Sequence, residues 1–137
     1  MIVSLHVATG AAVGLAARSR LRALLLGPAV HVAADRVRHQ DIASRRFEIV
    51  SGLACIGLLT LRRGPFDPST LGAVSASAPD LEHVLPWLRP RGKKLFHGGP
   101  GSDPPGGLPT HLQLLLAGAT VGLILSSRSP STSSGRS

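Results

Sequence analysis

The sequence predicts an all-α chain: a small helical membrane bundle of four or five helices, followed by a disordered C-terminal tail. Three observations carry that expectation. Hydrophobic residues make up 43% of the 137 residues and aromatics only 3%, so the apolar mass is Leu, Ala, Val, Ile and Gly, which suits helices packed closely on small residues. These residues gather into four or five runs, with a mean hydropathy of +0.23. The runs end in basic groups, Arg18/Arg20/Arg22, Arg45/Arg46, Arg62/Arg63 and Arg89/Arg91/Lys93/Lys94, where membrane helices keep their flanking charge. The expected location is therefore a membrane crossed several times, with membrane lipid as the surrounding partner.

Each run has its own argument. The first, Ile2 to Ala17, is interrupted by Ser4, His6 and Thr9. It has the length of a signal peptide, but no Lys or Arg precedes it and no cleavage pattern follows, so a retained helix is expected. The second spans about Leu21 to Val37, with Pro28 near its start, where proline costs a helix least. The third is Phe47 to Leu61, with Glu48 at its beginning, and a break follows at Arg62–Pro68. The fourth, Ser69 to Leu88, is weaker because Pro79 and Asp80 interrupt it. Residues 89–107 contain six glycines and four prolines and read as a loop. The last run, Leu108 to Leu125, closes a helical domain over 1–125. Residues 126–137 form a polar tail too poor in apolar surface to order itself.

Several runs fall short of the roughly 20 residues a straight spanning helix needs, a shortfall that snorkelling arginines and neighbouring helices can offset. Gly10-x3-Gly14 and Gly118-x3-Gly122 are candidate close-packing pairs.

A net charge of +8 invites a nucleic-acid reading. The clustering of the basic residues at run ends, and the near absence of rings on which a base stacks, argue against it. Cys55 is the single cysteine, which excludes an intrachain disulfide and leaves a small buried hydrophobe as its reading.

Chemistry concentrates in short blocks: His6; His31-Val-Ala-Ala-Asp35-Arg-Val-Arg-His39-Gln-Asp41; Pro79-Asp80-Leu-Glu82-His83; and His97. Imidazole and carboxylate are ligands for Zn²⁺ and similar divalent ions. His31 and Asp35 are one helical turn apart, about 6 Å along the axis, and suit one ion. His39 lies about 12 Å from His31 if the helix continues, so a third ligand from this block requires the helix to end or bend after Asp35. Two ions, or an orienting role for Asp35 or Asp41 on an imidazole, are the alternatives. A solvated salt-bridge cluster at a helix end is the bland reading of this block. The candidate ligands are His6, His31, Asp35, His39 and Asp80, with Asp80 at a helix start if Pro79 breaks the fourth run. His111 reads as a first-turn residue of the last helix, Gln113 as a hydrogen-bonding group between helices, and Trp87 as an interfacial anchor.

Together the Ser4-Leu5-His6 step, the His-x3-Asp-x3-His-x-Asp block, Pro79–His83, Phe96-His97 and a glutamine near the start of the last helix resemble the small bacterial integral-membrane proteins classed as metal-dependent hydrolases. The resemblance covers most of residues 1–125, with Arg38 standing where that family typically has proline. It implies the bacterial inner membrane and metal-dependent hydrolysis. On that reading an ion held by His31, Asp35 and Asp80, with His6 or His39, activates water. Glu48 or Glu82 is the general base, and a phosphoester, lipid-derived if the site lies in the membrane, is the substrate. The alternatives are a non-catalytic helical membrane protein with a structural metal or polar network, and a metal-handling protein.

Overall fold

The computed structural model describes residues 1–81, 85 and 107–127. Glu82, His83, Trp87, Phe96, His97, most of the Gly/Pro-rich segment and all but the first two residues of the expected tail lie outside the described residues. Within them the chain is all-helical. The helices are α1 (Val3–Ala17), α2 (Arg20–Asp35), α3 (Arg45–Arg63), α4 (Pro68–Ser77) and α5 (Thr110–Ser126), with a 3-10 turn, Ala78–Asp80, directly after α4.

Local chemistry sets the helix ends. Ser19 Oγ accepts the Arg22 N–H at 3.4 Å and Ser44 Oγ accepts the Phe47 N–H at 3.3 Å, each occupying a backbone donor that the first turn of a helix leaves open. Asp67 does the same for Ser69 at 2.8 Å, ahead of Pro68, whose missing N–H costs nothing in the first turn. Arg18, in the left-handed region at φ 51°, ends α1. Gly64 ends α3 at φ 96°, a conformation that favours a residue without a Cβ.

Helix α1 is central and touches the other four helices. Against α4 the two backbones meet: a Cβ on Gly10 would lie 2.3 Å from the Gly72 carbonyl oxygen, and one on Gly14 would lie 2.0 Å from that of Pro68. The Gly10-x3-Gly14 pattern thus packs as expected. Gly118 and Gly122 have nothing within 4 Å of an added Cβ, so the second pattern packs against nothing among the described residues. The core lies on both sides of α1, with Ile2, Leu5, Ala8, Ala117 and Val121 on one side and Val7, Ala11, Leu59, Ala73 and Ile124 on the other.

The expected multi-pass membrane location is corrected by helix length. No helix among the described residues is long and apolar enough to cross a membrane. Helices α1, α2 and α5 have 15, 16 and 17 residues, about 22–25 Å, against about 30 Å of hydrocarbon. Helix α3 has 19 residues, but Arg45, Arg46, Glu48, Arg62 and Arg63 occupy its ends. The fourth run, broken at Pro79, yields a ten-residue helix. Apolarity misled because it is not confined to a core: Leu25, Leu61 and Leu123 are exposed. Pro28 is also misplaced by the sequence reading, since α2 begins at Arg20 and carries the proline in its interior.

Candidate metal centre

Three separate elements bring chemistry to one point at the end of the bundle where α1 begins and α2 stops. His6 stands on the second turn of α1, His31 and Asp35 on the last turns of α2, and Asp80 closes the 3-10 turn after α4. Pro79 breaks the fourth run as expected, and Asp80 closes the 3-10 turn immediately before Leu81, which is helical. Both imidazoles have 0% exposure, whereas the side chains of Asp35 and Asp80 are 19% and 16% exposed. The histidines form the floor and the carboxylates the rim.

The rings of His6 and His31 stack, 3.9 Å between centroids. His31 Nδ1 donates to the carbonyl oxygen of Ala76 at 2.8 Å, because a carbonyl can only accept. In the neutral ring Nε2 then carries the lone pair, as in metal-ligating histidines oriented by a backbone carbonyl. That nitrogen lies 3.2 Å from Asp35 Oδ2 and 4.0 Å from Asp80 Oδ1. His6 Nε2 lies 3.0 Å from Asp35 Oδ1, yet neither ring nitrogen of His6 has a hydrogen-bond partner of acceptable geometry among the described residues.

His6, His31 and Asp80 can together hold a metal ion, since each offers a ligand atom and the three atoms lie within 4.8 Å of one another. Ligand atoms around a tetrahedral zinc are about 3.3 Å apart, from zinc–nitrogen distances near 2.0–2.1 Å, so small side-chain rotations close the set. Burial is the largest influence on His6 and pushes its pKa below 6.5; His31 acts in the same direction, while Asp35 and Asp80 oppose. A ligand imidazole must be neutral, and this environment keeps His6 so.

The remaining candidates fall around this centre. Helix α2 ends at Asp35, the condition the spacing set for His39 to turn back. The returning segment is fixed by an isolated parallel bridge, with the Leu108 N–H donating to Arg38 O at 2.8 Å and the Gln40 N–H to Leu108 O at 3.0 Å. Gln113, fully buried, ties this segment to α1: its Nε2 donates to Gln40 O at 2.7 Å and its Oε1 accepts the Ile2 N–H at 3.1 Å. The interhelical role expected of Gln113 is thus met by its bond to the start of α1. His39 Nε2 faces Asp41 Oδ1 at 3.2 Å and the amino nitrogen of Met1, which also lies 3.0 Å from Asp35 Oδ1.

Glu48, on the first turn of α3, is half-buried. Burial raises its pKa first, and the charges of Asp41 and Asp80 add to that, against the Met1 amine and Arg45. His111 is exposed in the first turn of α5, as expected. Sequence reasoning gave Asp41 only an orienting role, although the His-x-Asp step of the block already put a carboxylate within reach of His39. Comparison with protein-family models, curated proteins and solved structures finds no match to this chain.

Proposed function

We propose that the chain is a metal-dependent hydrolase with a zinc ion held by His6, His31 and Asp80, acting on a phosphoester. The observation that carries the reading is the donor set itself. Two imidazoles and one carboxylate make three protein ligands, the number used by catalytic zinc sites that keep a fourth position open, whereas structural sites are closed by four. The partly exposed carboxylate rim is the side from which substrate enters. Zinc supplies Lewis-acid activation of water and of a phosphoryl oxygen.

The chain's own residues do the rest. Ala76 O fixes the His31 ring so that Nε2 faces the carboxylates, and Asp35, close to both imidazoles, holds them on a common centre. Glu48, its pKa raised by burial and by the charges of Asp41 and Asp80, is the candidate general base, and Glu82 is the alternative the sequence offers. A net charge of +8 draws anionic substrates toward the protein. The resemblance read from the sequence implies the same chemistry with a partly different ligand set, His31, Asp35 and Asp80 with His6 or His39.

A second reading is a purely structural network in which a shared proton links His6, His31 and Asp35, favoured by the 3.0 and 3.2 Å approaches of that carboxylate to the two rings. Metal analysis with a hydrolysis assay separates the two. The purified protein should retain about one zinc at this centre and hydrolyse bis(p-nitrophenyl) phosphate, with both lost in His31→Ala. Protein that retains no zinc after dialysis and shows no zinc-dependent hydrolysis would leave the network reading.

A further inference from the structure

We propose that the outward face of α5 is the surface through which two copies of this chain pair, antiparallel and about a two-fold axis at the level of Ala117.

That face is apolar where a helix turned to water is normally polar. Helix α5 carries no Asp, Glu, Lys or Arg and packs Gln113, Ala117, Val121 and Ile124 into the bundle. On its other side Leu112, Leu115, Leu116 and Leu123 are exposed, Leu115 by 65% and Leu123 by 73%. Gly118 and Gly122 lie among these leucines, with no described neighbour within 4 Å of an added Cβ, and Ala119 is exposed beside them. The positions 112, 115, 119 and 122 alternate steps of three and four, the spacing of the seam along which two helices pair. Helix α3 packs beside α5 and adds exposed Val50, Leu53, Leu58 and Leu61. The two helices together offer on the order of 800 Å² of apolar surface, the area per partner of a stable interface. The largest apolar patch of a typical monomer is about 300–600 Å².

The occupant follows from the order of large and small residues along the stripe. The bulky residues come first, at 112, 115 and 116, and the small ones follow, at 118, 119 and 122. A second copy of α5 running the other way, centred at Ala117, brings Leu112 level with the partner's Gly122, Leu115 with the partner's Ala119 and Leu116 with the partner's Gly118. Each leucine then enters a hole left by a residue with little or no side chain, and the backbones can approach closely. Parallel pairing in register would set leucine on leucine and glycine on glycine. A lipid surface requires no such match, and a charged partner finds no charge on α5 to pair with. The contact uses the same patch on both copies, so it closes as a dimer, and the antiparallel helix dipoles oppose each other favourably. Ala119 shows that a hole accepts one methyl group; a longer side chain would fill it.

Sedimentation equilibrium of the full chain tests the pairing, with Gly122→Leu, Gly122→Ala and Leu115→Glu on the stripe and Leu25→Glu on the exposed face of α2 as the control. All four positions are open or exposed, and circular dichroism checks that each variant keeps its helices. The expected result is a dimer for the wild type, Gly122→Ala and Leu25→Glu, with dissociation at least ten-fold easier in Gly122→Leu and Leu115→Glu. A monomeric wild type overturns the proposal. So does a dimer that Gly122→Leu and Leu115→Glu leave intact, or one that Leu25→Glu weakens as much as they do. A wild type that is monomeric but floats with vesicles of phosphatidylglycerol and phosphatidylcholine, and loses flotation in Leu115→Glu, overturns it in favour of a lipid surface.

Discussion

The imidazole of His6 lies over that of His31, 24° from parallel, with both rings wholly buried. Two protonated rings at this separation would repel without water to screen them, so the stack is stable when at least one is neutral. Desolvation assigns that state to His6, and a neutral pair beside two carboxylates is what a divalent ion requires.

Removing a ligand should therefore remove the metal. His31→Ala and Asp80→Asn are each expected to weaken zinc binding by about 100-fold or more, beyond the 10–100-fold that loss of an orienting partner costs. His111→Ala, exposed and far from the rim in role, should bind as the wild type does. Isothermal titration with zinc checks this, and equal affinities across the three variants would remove the site. Asp80→Asn also separates a ligand from a residue that merely caps its turn, since asparagine caps about as well as aspartate.

The packing of α1 on α4 makes a second prediction. Gly10→Ala drives a Cβ to 2.3 Å from a backbone oxygen that no rotamer can move, and is expected to cost about 1–3 kcal/mol or more of stability. Gly118→Ala meets nothing within 4 Å and should stabilise α5 by about 0.5–1 kcal/mol. Urea denaturation of the two variants gives opposite signs if the contact is as described. A neutral Gly10→Ala would mean the helices stand further apart.

Much of this was legible in the sequence. The all-α class, the helix breaks at Arg18 and Pro79, the His31/Asp35 pair, and the joining of His6 and Asp80 to it all follow from spacing and residue type. The membrane was misread because apolar composition was weighed above helix length, and the exposed leucines of α2, α3 and α5 write the same letters as lipid-facing ones. The return of His39 was legible only as a condition. Nothing in Arg36-Val37-Arg38 marks a helix stop, and the bridge that holds the segment is made by Leu108, a partner that backbone hydrogen bonding selects and no side-chain pattern announces.

Gln113 couples that segment to the site. Gln113→Leu keeps the volume but strands the Ile2 N–H inside the protein and removes a donor from Gln40 O, at an expected cost of about 1–3 kcal/mol. Because the same bonds hold the start of α1, which carries His6, and the segment bearing His39, zinc affinity should fall with stability. Calorimetric melting and zinc titration of one variant check both, and a loss of neither would show that the side chain holds nothing in place.

Asp67 gives the pH dependence. Burial alone would raise its pKa, but the hydroxyl and N–H of Ser69 and the Arg63 guanidinium outweigh it and hold the carboxyl below 3.8. A depressed folded pKa means the unfolded chain binds the proton first, so the stabilisation is present above about pH 3.8 and is lost as pH falls through the folded value. The stability gap between wild type and Asp67→Asn, read from urea midpoints, should narrow from pH 5 to pH 3. A gap that stays constant would show that the charge contributes nothing.

The central claim is that His6, His31 and Asp80 hold one divalent ion, and anomalous diffraction from crystals of the zinc-loaded protein tests it most directly. The account predicts a zinc peak about 2.0–2.2 Å from His6, from His31 Nε2 and from an Asp80 carboxylate oxygen, with His31 Nδ1 still bonded to Ala76 O. Zinc peaks found only elsewhere on the chain, with His6 and His31 still stacked against Asp35 and no density between them and Asp80, would contradict it.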